Sequence, residues 1–349
     1  MVQALERSSI MKSIWKSKRF LIGFTYLFIL ISASFIYSWF FKDNIPKPPQ
    51  LLYNDNNELL GKAPFPPSLI PPFGSDRFGE SVFLQIIEGA KFTILLAVAI
   101  SFFRILCGTC IGILLSLFAP KLKRFFQACS EVFYYIPTLF IAFILITPVN
   151  IVITSNADGL NPNISFTFYQ VLVLIFVALP TLSLYISSEV DEFMKRDYIL
   201  SSQLLGASRF HIMKKHLRVL LLDRLFVLFM EHIVQTLILV IHLALLNIVI
   251  GGIQMRELYD GVLKPVSLSN DWAGLIGLNR NEMNLSWWII FYTLASFFIT
   301  ILFIKLMTIG IQDALKARDT QVVAIQSVPD RKKFVKSKDS FSFVDKVNL

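Results

Sequence analysis

The stretch Arg196–His216, "RDYILSSQLLGASRFHIMKKH", is a polar and basic island in a very apolar chain. On one side lies Phe166–Ser188, a run without a charged residue, and on the other Leu225–Ile250, whose one carboxylate is Glu231. Each run exceeds the roughly 20 apolar residues needed to cross a hydrocarbon core. The island therefore reads as a loop between two membrane helices, and the single glycine inside it, Gly206, as a turn between two short helical pieces.

Working outward, four more runs reach spanning length: Phe20–Phe41, Phe92–Ala119, Val132–Thr154 and Trp287–Ile311. Composition agrees: 55% of the 349 residues are hydrophobic and 16% are charged, against roughly 25% charged in a soluble domain. In lipid every backbone polar group must be satisfied within the protein, which favours helices for single spans. Periodicity says little inside such runs, because a lipid-facing helix is apolar all round. The expected fold class is an all-α polytopic membrane protein with six transmembrane helices. Lys12, Lys16, Lys18 and Arg19 before the first run resemble the start of a signal peptide. That apolar run, however, is longer than the roughly 7–15 residues such a peptide carries, so it reads as a retained helix.

Six spans put both termini on one side. Of the 33 Lys and Arg residues, 23 fall in the segments on that side and 8 on the other, so the positive-inside rule places both termini and the island in the cytoplasm. The chain divides into a cytoplasmic N-terminus (1–19), a first span (20–41) and an external Pro-rich loop (42–91) that closes in a short interfacial helix over Glu80–Lys91. A core of the remaining spans follows (92–311), containing the cytoplasmic loop 189–224, and then a basic tail (312–349). The sequons at Asn163 and Asn284 fall on the external side. The net charge of +9 is accounted for by basic loops facing anionic membrane lipid, with no nucleic-acid motif among them.

No phosphate loop, zinc-binding HExxH helix or GxSxG elbow occurs, so the chain is not expected to be an enzyme or to hold a metal or cofactor of its own. Cys107, Cys110 and Cys129 give no disulfide framework and read as small packing residues. Within the spans, ionisable groups are costly and so informative. Glu231, Gln235 and His242 fall within about 40° of one another at 100° per residue. They form one polar stripe, expected to face a partner helix or a wet path, with Arg104 as a counter-charge to Glu231. Interhelical hydrogen bonding is the plainer alternative.

The island is more specific than its composition. "DYILSSQLLGASRFHIMKKHLRV" resembles the cytoplasmic loop of ATP-binding-cassette importer permeases: Glu-Ala-Ala, three residues, Gly, then a hydrophobic or His position before Pro. Leu200, Ser201 and Ser202 take the Glu-Ala-Ala places, Gly206 is retained with Ala207 after it, His216 keeps its spacing, and Val219 replaces the proline. "FGSDRFGESVFLQIIEGAKFTILLAVAISFF" (73–103), "SNDWAGLI" before Trp287, and "IGIQDALKAR" at the end of the last span are similar to further motifs of the dipeptide and oligopeptide permeases. They point to the subunit of the pair with the short external loop.

The resemblance implies a type I importer permease in the cytoplasmic membrane of a bacterial-type cell. It also implies a second homologous permease, two ATPase subunits that bring ATP and Mg, and an extracellular substrate-binding protein. A helix over Ile199–Leu205 would offer Leu200, Leu204 and Leu205 to an ATPase groove, with Gly206 turning the backbone into the next helix. With the family's acidic residue replaced by Leu200, that contact becomes apolar. Peptide uptake is the leading expectation, while nickel chelates are carried by the same family. Two other classes stay open: an ion-coupled secondary transporter using Glu231, and a degenerate permease serving as membrane sensor or scaffold.

Overall fold

A computed structural model of the chain describes residues 14–42, 44, 50–155, 164–259 and 261–326. Helix α1 (Lys18–Ile36) ends in a π-helical turn, Tyr37–Phe41, and is followed by the short hairpin β1 (Leu51–Tyr53) and β2 (Leu59–Lys62). Then come α2 (Val82–Leu117), α3 (Pro120–Tyr135), α4 (Thr138–Ser155) and α5 (Ile164–Met194). Two short helices, α6 (Asp197–Leu204) and α7 (Arg209–Ile212), precede α8 (Arg218–Leu245). A second antiparallel hairpin, β3 (Ile253–Tyr259) with β4 (Val262–Ser267), leads to α9 (Trp272–Asn279) and the long α10 (Trp287–Gln326).

Five helical segments among the described residues are long and apolar enough to cross a membrane: Lys18–Phe41, Val82–Leu117, Phe166–Met194, Leu221–Leu245 and Trp287–Ala317. This is an all-α polytopic membrane architecture, and the two hairpins among the described residues lie in the connections.

The expected sixth span, Val132–Thr154, is corrected in its bounds: it is not one continuous helix. Pro137 forces the preceding residue out of the helical region, and Ile136 is extended at φ −96, ψ 119. The run therefore splits between α3 and α4. The helix that remains, α4, has 18 residues and rises about 27 Å, a little under the roughly 30 Å of hydrocarbon.

Two further boundaries move. The interfacial helix expected over Glu80–Lys91 is the beginning of α2 itself, continuous with the span. It need not break at the interface, because its polar residues find partners: Gln85 with Asp76, Glu88 with Lys42, Lys91 with Ser38. At the other end of the chain α10 continues past Ile311 to Gln326, through a stretch free of Gly and Pro. The rest of the basic tail, most of the N-terminal segment and the sequon at Asn163 lie outside the described residues.

Packing centres on α2, which lies against α5 and α8, while α10 lies against α1 and α8. Ile94, Ile100, Leu174, Leu237, Leu243, Trp272 and Phe297 are buried in the main core. Trp272 also fastens α9 to α2: its backbone N–H donates to Thr93 Oγ1 at 3.0 Å and its indole N–H to the Ile86 carbonyl at 2.7 Å. The approach is close enough that a Cβ on Gly89 would lie 1.9 Å from the Asn270 carbonyl oxygen. A second apolar cluster, Leu117, Ile186, Val190, Ile199, Ile212 and Leu217, sits at the far end of α2.

Candidate functional site

At that far end, α6 and α7 form a helix–turn–helix whose turn is Gly206, at φ +89. This left-handed conformation favours glycine, and nothing lies within 4 Å of where a Cβ would be, so backbone geometry alone calls for it. One isoleucine from each helix, Ile199 and Ile212, is fully buried in the second cluster. Arg209 adds a polar tie by donating to the Leu117 carbonyl at the end of α2, where orphan carbonyls need donors. Between these anchors the tip projects: Leu204 and Leu205 are each 89% exposed, and Leu200 45%.

Ser201 is exposed and donates to the Asp197 carbonyl, Ser202 and Ala207 are half-buried, and His216 lies in the π-helical turn Met213–Leu217. The structure thus brings Leu200, Leu204, Leu205 and Gly206 together at one projecting tip. His216 is ten residues beyond Gly206 along the chain.

Along α8, Glu231 is half-buried while Gln235 and His242 are exposed. Among the described residues no hydrogen bond joins the three to another helix. His242 Nδ1 contacts only the Ile238 carbonyl of its own helix, at 2.7 Å. The stripe is therefore on the outer face of this chain. Polar side chains there are costly against lipid, so the face is suited to a partner.

The pairing of Arg104 with Glu231 is not found. Arg104 is buried, its Nε–H donates to the Leu174 carbonyl at 2.9 Å and its Nη1–H to Thr236 Oγ1 at 3.0 Å. Thr236 is one turn beyond His232 and on the inner face of α8, so Arg104 joins α2, α5 and α8 as interhelical hydrogen bonding. It is removed from the stripe.

At the start of α2 lies a site the sequence reading missed. The 74–81 loop, the first turns of α2, the β3–β4 hairpin and α9 enclose a cavity of about 450 Å³. Asp76 is buried in its wall, where Oδ1 accepts the backbone N–H of Phe78 at 2.9 Å and of Glu80 at 2.8 Å, and Oδ2 accepts Gln85 Nε2–H at 2.8 Å. Around it the ionised groups pair off. Arg256 meets Glu80 at 2.7 Å, Lys42 meets Glu88 at 2.6 Å, and Arg77 meets Glu282 at 3.1 Å.

Arg77 also donates to the Leu278 carbonyl and Asn279 Oδ1, which ties the loop to α9. Burial, and secondarily the Glu80 carboxylate, push Asp76 up to about 6 in spite of its three hydrogen bonds. Asp271, which caps α9 through Gly274 N–H, is also raised by burial. The sequence did carry a signal here, a charged cluster between glycines in "GSDRFGE", but its partners are up to 205 positions away, from Arg77 to Glu282.

The chain is thus a bundle of apolar, membrane-spanning helices with a polar outer stripe and an anchored, projecting loop. Residues 108–318 match the family model described as binding-protein-dependent transport system inner membrane component, and the chain belongs to that family. It is 21% identical to the di/tripeptide transport system permease protein DppC of Pseudomonas aeruginosa, over 87% of this chain and 91% of that protein. It is also 21% identical to the probable D,D-dipeptide transport system permease protein DdpC of Escherichia coli, over 76% and 80%. The peptide transport system permease protein SapC of Haemophilus influenzae is 24% identical over 46% and 52%.

Proposed function

We propose that the chain is one of two membrane subunits of an ATP-driven importer of peptides, in a bacterial-type cytoplasmic membrane. In this reading both termini and the α6–α7 tip are cytoplasmic, and the start of α2 with its cavity is external. The distribution of Lys and Arg supports that orientation, and the relatives, permeases of di/tripeptide, D,D-dipeptide and peptide transport systems, support peptide as substrate. Segment 132–154 would complete a sixth crossing once a neighbouring subunit covers the short α4.

The observation that carries the reading is the tip itself. Two adjacent leucines at 89% exposure, on a loop anchored by two buried isoleucines, form a rigid apolar peg. Exposure of that kind marks a surface completed by a partner. An ATPase subunit with an apolar groove would grip Leu200, Leu204 and Leu205, and its movement would be passed through Ile199, Ile212 and Arg209 to α2, α5 and α8. The Glu231–Gln235–His242 face would meet the second permease across the translocation path, with an external binding protein delivering the peptide.

The test is co-purification with the neighbouring subunits, followed by ATPase and peptide-uptake assays. Leu204→Asp with Leu205→Asp is expected to abolish ATPase association while leaving the thermal melting of the chain unchanged. Gly206→Pro, whose φ is fixed near −65°, is expected to do the same by breaking the turn. Retention of full ATPase association by the double leucine variant would overturn the reading.

A further inference from the structure

The cavity at the start of α2 contains one unbalanced charge. Its three cations, Lys42, Arg77 and Arg256, each have a carboxylate within 3.1 Å, namely Glu88, Glu282 and Glu80. Asp76, buried in the same wall, has no cation in contact among the described residues. Gln85 sharpens the imbalance. Its Nε2–H donates to Asp76 Oδ2 at 2.8 Å and to Glu80 Oε2 at 3.2 Å, and two carboxylates fix the amide in that orientation. Its Oε1 is then left buried without a partner, on a side chain only 5% exposed that lines the cavity.

An uncompensated carboxylate beside an orphan acceptor lacks a cation that is also a donor. A primary ammonium, with three N–H donors, supplies both. A bare metal ion fits less well, because no group of three His, Cys, Asp or Glu among the described residues is placed to hold one. The volume of about 450 Å³ lies in the range of small-molecule sites.

We propose that this cavity is a primary-ammonium subsite that takes the free amino terminus of a short peptide, with Asp76 as counter-charge and Gln85 Oε1 as acceptor. The choice of a peptide rests on the importer reading; the ammonium chemistry does not. Because Asp76 titrates near 6, protons compete with the ligand. The other titratable groups facing it are Glu80 and Arg77 on its loop, Glu88 on α2, and Tyr37 and Lys42 at the end of α1. Arg256 on β3 and Glu282 beyond α9 complete the set, and every cation among these is already paired.

The test is calorimetric titration of the full chain in lipid nanodiscs at pH 7.5 with Ala-Ala, N-acetyl-Ala-Ala and methylammonium. Ala-Ala is expected to bind and methylammonium to compete with it. N-acetyl-Ala-Ala is expected to bind at least about tenfold more weakly, the loss of a charge-assisted hydrogen bond. Asp76→Asn keeps an acceptor for the Phe78 and Glu80 N–H groups and should bring Ala-Ala down to the N-acetylated level. Lowering the pH from 7.5 to 5 should weaken Ala-Ala binding to the unmodified chain, a readout that needs no variant. Equal binding of the free and acetylated peptides, absence of binding, or indifference to Asp76→Asn would each overturn the proposal. Amine-dependent binding without peptide uptake by the assembled complex would instead sink the importer reading and leave the subsite standing.

Discussion

The two ends of α2 are built on opposite plans. At its start, charged groups from five parts of the chain are paired with one another around a cavity, and only Asp76 and Gln85 Oε1 are left over inside it among the described residues. At its end, the chain buries only the roots of the α6–α7 loop and leaves its leucines in the open. A cavity whose walls are held by their own ion pairs can keep its shape through an exchange of ligands. A surface with exposed leucines on a fixed base is incomplete until something covers it.

That contrast can be broken most directly at the loop roots. Ile212→Ala removes a fully buried side chain from the second cluster and is expected to cost about 3 kcal/mol, while Leu204→Ala at the tip should change stability by less than about 0.5 kcal/mol. Thermal melting of the two variants in the same detergent measures the difference. Similar losses would show that the tip is packed against this chain after all.

Next in size is the cavity end. Gly89→Ala places a Cβ 1.9 Å from the Asn270 carbonyl oxygen, and overpacking against backbone should cost about 2 kcal/mol. An unchanged melting temperature would mean that the α9 turn yields easily and that the cavity is not a fixed shape.

The smallest effect is a titration. Asp76 is raised from 3.8 to about 6 in the folded chain, so the folded state holds that proton more tightly than the unfolded one. Its ionisation therefore opposes folding as pH rises through this window, and stability is regained as pH falls from 7 to 5. One pH unit of the window is worth about 1.4 kcal/mol for a fully expressed shift. Comparing the pH dependence of melting between the native chain and Asp76→Asn isolates this group, and parallel curves would show that Asp76 does not titrate there.

Much of the architecture was legible in the sequence, because spans are fixed by length and apolarity and those are local. The Gly206 turn was legible for the same reason, since a lone glycine between two short helical stretches leaves few alternatives. What escaped was whatever depends on distant partners. Pro137 lies inside an apolar run that composition alone joins, and its effect on Ile136 splits that run in two.

A helical wheel placed Glu231, Gln235 and His242 on one face but could not say how far along α8 the guanidinium of Arg104 would reach. It meets Thr236, on a different face and about 7.5 Å further along the axis than Glu231. The pairing of Arg77 with Asn279 and of Glu80 with Arg256 closes separations of 202 and 176 positions, and nothing local in either segment announces it.

The 36 residues of α2 run without a proline from the cavity wall, where Gln85 and Glu88 stand, to the carbonyl of Leu117, where Arg209 holds on. At 1.5 Å per residue that is a rod of about 54 Å. A tilt of about 5° would carry one end past its neighbours by about 5 Å, nearly one helical pitch. Whatever reseats one end of such a rod is felt at the other end without any relay of intermediate side chains, and the same rod carries the push back.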